Sequence, residues 1–427
     1  MAVFRLAGHE MVTDQDMALP SRASWLASIP LNIHDIPTNV LNIESKTRSN
    51  PFPWKGQFSP QFIQAILEKY GKPGMTVCDP FLGSGTVLGE AGRLNLAGIG
   101  SEINPAAYHM ARIYRFINIE PASRNAAVHS VSEMLRDKLP QFMPLFGDHP
   151  NSYSAEEIES RLCELRVSVS SKTHAALLEA LIVLLDLWKP GLDEQRLYSV
   201  WHILTKQILN LPYSEQHIRI INCDARQLSI EDSSVDLVIT SPPYINVLNY
   251  HQQYRRSAEV LGWHLLTVAR SEIGSNRKNR GNRFLTVVQY CQDITQALIE
   301  MRRICGTRGR IIIVLGREST VRGTRFFNSD IVARLATCCA GLYAEMRQER
   351  AFRNRFGETI YEDILHLNAG PSCASDPVAK ATNIAMDVLA EALDDVTEGS
   401  RSDLHMALSG AASVKPSPIY SDQHAKA

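Results

Sequence analysis

The chain has 427 residues, a hydrophobic share of 44%, and 44 Lys+Arg against 45 Asp+Glu for a formal net charge of -1. This is ordinary globular composition, which argues against wholesale disorder and allows one large α/β domain with insertions or two domains. No apolar run approaches the roughly 18 residues of a membrane helix, the acid-bearing N-terminus lacks the apolar core of a signal peptide, and eight cysteines without a CxxC pair or a histidine cluster speak against a zinc site or a disulfide framework and for a reducing cytoplasm.

In chain order, residues 1–48 read as an irregular N-terminal arm broken by Pro20, Pro30 and Pro37. SPQFIQAILEKY (59–70) predicts a helix, with Ser59 as N-cap, Pro60 at the first helical position, and apolar residues at 62, 63, 66 and 67. MTVCDPF (75–81) predicts a buried strand, followed by a glycine turn and a helix. LAGIGSEI (96–103) predicts a second strand, and NPAAYHMARIYRFI (104–117) a second helix. This beat implies a mostly parallel, doubly wound sheet with right-handed crossovers. It stops near residue 120, and 121–215 reads as a helical insertion with amphipathic stretches. The beat resumes at HIRIINCDARQL (217–228) and SSVDLVITSPPY (233–244). It continues through a helix and the strand RGRIIIVLG (308–316), and closes on TIYEDILHL (359–367). Residues 49–120 and 216–368 thus form one catalytic domain, and 369–427, rich in Ala, Ser, Asp and Pro, reads as a weakly structured tail with one helix near 378–394.

The near-zero net charge hides an asymmetry. Residues 251–360 hold 19 basic and 9 acidic side chains, a surplus of ten, which leaves the remainder at −11. Such a patch reads as a phosphate-contacting face, against the alternative of solvated helix faces.

The turn Asp79-Pro80-Phe81-Leu82-Gly83-Ser84-Gly85-Thr86 joins a strand to a helix. Its glycines allow a tight turn and close ligand approach, and the helix aims free amides at that ligand. The loop lacks the lysine of a nucleotide-phosphate loop, while Asp79 suits a cationic ligand. Glu102, at the end of the next strand, is placed to take ribose hydroxyls. A dinucleotide oxidoreductase is disfavoured because Gly89 stands one residue beyond the third expected glycine. Asp224, at the end of the following strand, is an acceptor for an adenine amine or a plain turn aspartate.

Ser241-Pro242-Pro243-Tyr244 follows the apolar strand VDLVIT. Two prolines force the chain out of the sheet at the strand's C-terminal end, the edge where open α/β sheets bind ligands. The Ser241 hydroxyl and the Pro242 carbonyl can accept hydrogen bonds from the NH2 of a nucleobase, localising a lone pair otherwise delocalised into the ring. Tyr244 offers a face for stacking a flipped base.

With both motifs in view, the chain resembles the amino-methyltransferases of DNA restriction–modification systems. VCDPFLGSGTVLGEA, GIGSEINPAA, INCDARQL and TSPPY resemble their successive motifs, and NPFPWKGQFSPQFIQAIL (50–67) resembles the segment that precedes them. The resemblance implies a Rossmann-like S-adenosylmethionine-dependent methyltransferase fold carrying a helical insertion. It implies S-adenosyl-L-methionine as cofactor, held by Phe58, Pro60, Asp79, Pro80, Phe81, Gly83, Ser84, Gly85, Thr86, Glu102, Ile103, Asp224 and Ala225. Ser241, Pro242, Pro243 and Tyr244 become the catalytic loop, double-stranded DNA the substrate, and a restriction endonuclease a functional partner. Ser at the head of the motif is associated with cytosine-N4, Asp with adenine-N6. No membrane and no metal are expected, and the setting is a bacterial or archaeal cytoplasm.

The insertion falls between the second and third motifs, unlike the usual layouts. Target recognition is therefore assigned either to 121–215 or to RSEIGSNRKNRGNR (270–283), whose Arg277, Lys278, Arg280 and Arg283 are DNA-contact candidates. A second basic run, RQERAFRNRF (347–356), reads as a phosphate contact or a solvated loop. A ring-carbon cytosine methyltransferase would need a Pro-Cys nucleophile, and no Pro-Cys pair occurs. An RNA or tRNA guanine-N2 enzyme would carry an appended RNA module, and a degenerate DNA-binding relative would have lost these motifs.

Overall fold

The computed structural model describes residues 25–140, 153–245, 250–274, 279, 281–353, 357–370 and 372–421. In chain order its helices and strands begin with α1 (Thr38–Asn42), α2 (Pro60–Tyr70), β1 (Thr76–Asp79), α3 (Thr86–Arg93), β2 (Ala97–Ser101) and α4 (Pro105–Ala111). Then come α5 (Pro121–Lys138), α6 (Ala155–Ser168), α7 (Lys172–Leu185), α8 (Glu194–Leu209), β3 (Ile218–Ile221), β4 (Leu237–Thr240), α9 (Arg255–Val260), α10 (Leu265–Ser271) and α11 (Leu285–Cys305). The chain continues through β5 (Arg310–Gly316), β6 (Ser319–Val321), β7 (Thr324–Phe326), α12 (Asn328–Cys338), β8 (Leu342–Arg353), β9 (Thr359–Ala369), α13 (Pro377–Glu391) and α14 (Glu398–Gly410).

The main sheet has seven strands in the order β3-β2-β1-β4-β5-β9-β8. The first five are parallel, and β9 runs antiparallel between β5 and β8. This is the Rossmann-like, mostly parallel α/β architecture expected from the sequence. Chain order reverses between β1 and β4, so the switch-point crevice opens where Asp79 ends β1 and Thr240 ends β4.

Both faces of the sheet are covered, and the strands are correspondingly apolar on both sides. Val77, Leu237, Ile239, Ile312 and Val314 meet α2 and α3 in one core. Cys78, Val238, Ile311, Ile313 and Leu315 meet α11, α12 and α13 in another. The period-two alternation of strand side chains thus divides one run of residues between two cores.

Local signals set the helices. Asn104 caps α4 by accepting from the amides of Ala106 and Ala107, with Pro105 at the first position. Ser59 stands at the N-cap of α2 as expected, but its hydroxyl makes no capping bond. Gly89 in α3 has a steric cause: a Cβ there would meet the Tyr114 ring at 2.4 Å. That glycine serves packing of α3 against the 3₁₀ segment Arg112–Asn118, not a phosphate.

The insertion is a helical unit, α5 to α8, whose Val131, Leu135, Leu162, Leu181, Trp201 and Leu204 share one core with Ala107, Met110 and Ile117 of the α4 region and Ile218 and Ile220 of β3. Ser154 and Glu157 form a reciprocal capping box at α6, and Ser171 and Asp193 cap α7 and α8. The buried Arg124 binds the carbonyls of Ile119 and Pro212, tying the start of the insertion to its end.

Residues 369–421 depart from the expectation of a weakly structured tail. Ala381, Ala385, Val388, Leu389, Leu404, Ala407 and Ala411 are buried in the core of α11 and α12. The small alanines of this segment, such as Ala381 and Ala385, are what allow α13 to pack closely on α11. No helix among the described residues is long and apolar enough to cross a membrane.

Candidate active site at the sheet switch point

A cleft of about 890 Å³ opens at the C-terminal ends of β1, β2, β3 and β4. Phe58, Asp79, Pro80, Phe81, Gly83, Thr86, Glu102, Ile103, Asp224, Ala225, Ser241 and Pro243 line it.

The floor is the glycine turn. Gly85 adopts φ +97° at the N-cap of α3, a left-handed conformation costly for any side chain. A Cβ there would also strike Tyr114 at 2.7 Å. Asp79 is buried, and its Oδ1 accepts from the Phe81 amide (3.0 Å) and from Thr240 Oγ1 (2.7 Å) across the switch point. Among the described residues nothing donates to Oδ2. Burial pushes the Asp79 carboxyl up to about 7 despite those two bonds. Glu102 accepts from the amides of Gly83 (2.8 Å) and Asn104 (2.7 Å), and burial raises it to about 7 as well, helped by the nearby charges of Asp79 and Glu272. Two desolvated carboxyls with spare acceptor capacity thus share the cleft with a third acid, Glu272, held by the amide and Nδ1 of His251 (2.6 and 2.7 Å).

Several expected residues stand behind the lining. Ser84 is buried and donates to Gln57 Oε1 at 2.5 Å, binding the glycine turn to the 50–58 segment. Pro60 is buried as the first residue of α2. Gly85 and Pro242 are not among the lining residues. Tyr244 is a further difference: it does not line the cleft, its ring lies against Gly316, and its hydroxyl sits 3.2 Å from Ser241 Oγ. The stacking face expected of Tyr244 is turned toward the sheet end, and burial raises its phenol.

Asp224 departs from the expected adenine acceptor. Its Oδ1 takes the amide and Nε of Arg226 (3.0 and 2.9 Å); its Oδ2 takes Arg226 Nη2 (2.7 Å) and the Tyr420 amide (2.9 Å). With its carboxylate in four such bonds and 3% of the residue exposed, Asp224 can offer the cleft little beyond its backbone.

The sequence reading missed the aromatic side of the cleft. Trp54 stacks on Tyr250 (centroids 6.1 Å apart) and on Tyr254 (6.3 Å), and Trp54 and Tyr250 line the opening. It also missed Asn328, fully buried, whose Nδ2 donates to the Gly316 carbonyl at 3.0 Å and to Ser319 Oγ at 2.9 Å, beside the Ile245 amide. An N-terminal helix asparagine carries no sequence mark of such a role.

The basic region also resolves differently from its formal charge. Arg303, Arg310, Arg317, Arg322, Arg334, Arg347 and Arg350 all pair with carboxylates. Within the run 347–356, Arg347 and Arg350 are buried in β8, and Arg350 lies over the Phe62 ring at 3.9 Å. They are neither phosphate contacts nor a solvated loop, and residues 354–356 lie outside the described residues. Among the described residues of this region, Arg270, Arg283, Arg302, Arg308 and Arg353 carry no ion pair, and Arg302 is taken up by the carbonyls of Gly341 and Gly370. Arg270 is exposed next to the cleft-lining Ser271, Glu272 and Ile273, and Arg283 is half-exposed before α11. Arg277, Lys278 and Arg280 lie outside the described residues.

Comparison with known proteins adds the following. The family model described as DNA methylase, of the N6/N4 methyltransferase type, matches residues 21–112. The type II methyltransferase M.MjaII of Methanocaldococcus jannaschii is 32% identical over 87 residues, 20% of this chain and 16% of that protein. The structure of a SAM-dependent methyltransferase from Methanosarcina mazei superposes with a TM-score of 0.34 at 11% identity, covering 72% of this chain and 98% of that one. A geranyl diphosphate C-methyltransferase from Streptomyces coelicolor A3(2) gives 0.29 at 8% identity, covering 80% and 89%. The family match takes in the 50–58 segment, the glycine turn and Glu102, the portion of the chain that builds one half of the cleft.

Proposed function

We propose that this protein is a DNA methyltransferase that uses S-adenosyl-L-methionine to methylate the exocyclic N4 amine of cytosine in duplex DNA, as the modification partner of a restriction endonuclease. The observation that carries the reading is the convergence of two desolvated carboxyls, Asp79 and Glu102, with the Ser241 hydroxyl on one cleft. Such a site repels phosphates and attracts a cation, which separates it from a dinucleotide pocket.

The donor set fits the cofactor. Asp79 Oδ2, short of a donor, suits an ammonium group. Glu102 keeps a lone pair on each oxygen beyond its two amide bonds, enough for a pair of ribose hydroxyls. Phe58, Phe81 and Ile103 supply apolar surface for the remainder. When bound, the cofactor supplies an electrophilic methyl group on a sulfonium.

On the acceptor side, Ser241 Oγ and a carbonyl of the Ser-Pro-Pro turn accept the two N–H bonds of the base amine and orient its lone pair. Tyr244 fixes the Ser241 hydroxyl from behind, and Asn328 ties the loop to the end of β5. The exposed face for the base passes to Tyr250, backed by Trp54. No covalent intermediate is required, because orientation of the two reactants supplies the rate. Ser241 at the head of the loop favours cytosine over adenine.

The test is incubation with tritiated S-adenosylmethionine and duplex DNA, followed by nucleoside analysis. N4-methylcytosine is expected. N6-methyladenine overturns the choice of base, and label confined to RNA overturns the choice of substrate.

A further inference from the structure

The last described stretch, 414–421, lies outside the α/β repeat, yet it ends against the nucleoside side of the cleft. Gln292 and Gln289 on α11 bind the carbonyls of Val414 and Lys415 and set its course. Ser417 then docks on the fully buried Asp293, its amide to Oδ1 at 2.8 Å and its hydroxyl to Oδ2 at 2.5 Å. Arg226, whose side chain is wholly buried, binds Asp224 and Asp293 as well as the carbonyls of Ser417 and Pro418.

Two buried carboxylates face one buried cation here. Further donors come from the strap: the amide and hydroxyl of Ser417 and the amide of Tyr420. Each bond to a buried carboxylate adds to its stabilisation, so the docked strap supports the conformation of the β3 end. Tyr420 adds a second link. Its hydroxyl donates to Asn222 Oδ1 at 2.6 Å, and Asn222 Nδ2 donates to the Glu102 carbonyl at 2.6 Å. Its ring is buried beside Trp263 among apolar side chains of α9 and α10, namely Ala258, Leu265 and Val268, and Ile103 packs on that cluster.

We propose that the strap 417–420, through Tyr420, is a built part of the cofactor pocket that positions Glu102, Ile103 and the backbone at Asp224 and Ala225 to bind the adenosyl half of S-adenosylmethionine. The inference rests on the cofactor reading given above. Tyr420 touches no ligand itself; it acts through Asn222, Asp224 and Ile103.

The test uses the full chain with Tyr420→Ala and Tyr420→Phe, S-adenosylhomocysteine titrated by calorimetry, and hydrogen exchange of 101–104 and 222–228. Tyr420→Ala is expected to weaken binding about tenfold and to raise the cofactor KM, with kcat at saturation and duplex DNA affinity within about threefold. It also removes exchange protection at 222–225 without any ligand. Tyr420→Phe keeps the buried ring that anchors the strap and loses only the hydroxyl bond to Asn222, and restores affinity to within about threefold of the wild type. Unchanged affinity and protection in Tyr420→Ala overturn the proposal. So does a uniform loss of DNA affinity, kcat and melting temperature, which marks a general structural role. A wild-type protein that binds no S-adenosylhomocysteine instead overturns the cofactor reading, a result visible without either variant.

Discussion

The two halves of the cleft are built on opposite principles. On the β1–β2 side, Asp79 and Glu102 are desolvated acids with acceptor capacity left over. On the β4–β5 side, Ser241, Tyr244, Gly316 and Asn328 satisfy one another. On the function proposed above, the first half is completed by a ligand, whereas the second is already set before one arrives. A binding site for a cation gains from unmet charge, whereas a site that must aim an amine gains from fixed geometry.

The largest expected effect separates the halves directly. Asp79→Ala should cost at least about 100-fold in S-adenosylhomocysteine affinity by calorimetry while duplex DNA still binds. Loss of DNA binding with unchanged cofactor affinity would merge the two halves. Ser241→Ala is next: kcat should fall about 100-fold in tritium-transfer assays, with cofactor affinity within about threefold, as for removal of one preorganised hydrogen-bonding group.

The raised carboxyls sharpen the contrast through pH. The ordinary carboxyl values are 3.8 for Asp79 and 4.5 for Glu102, and both rise to about 7 in the folded chain. The unfolded chain therefore releases these protons first as pH rises. The ligand-free protein should lose stability between about pH 4 and 7 and level off above. A cationic ligand prefers the ionised acids, so its affinity should climb from about pH 6 to 8, and Asp79→Asn should flatten that climb. An affinity that falls over this range would reverse the assignment of charge. The smallest effect belongs to Tyr244→Phe, which removes one hydroxyl behind Ser241 and should lower kcat by only about threefold to tenfold.

Much of the first half was legible in the sequence, because the glycine turn, Asp79 and Glu102 lie within 24 residues of one another and each strand end follows from local pattern. The acceptor loop was legible in position but not in orientation. Two prolines dictate where the chain leaves the sheet, whereas the direction of the Tyr244 ring depends on Gly316, 72 residues later. Trp54 and Tyr250 were missed for the same reason, since their stack joins segments nearly 200 residues apart.

By itself the sequence determined the β/α beat, the helical insertion and the turns that carry Asp79, Glu102 and Ser241, since these follow from periodicity and from the backbone limits of glycine and proline. Only the tertiary structure decided which charges are free. Arginines counted as a basic face are spent on carboxylates that the sheet places beside them on β9. Asp224, expected to face a ligand, is saturated by Arg226 and by an amide 196 residues away. The Ala-rich C-terminal segment became part of the core because close packing is a property of pairs of surfaces, and a composition describes only one of them.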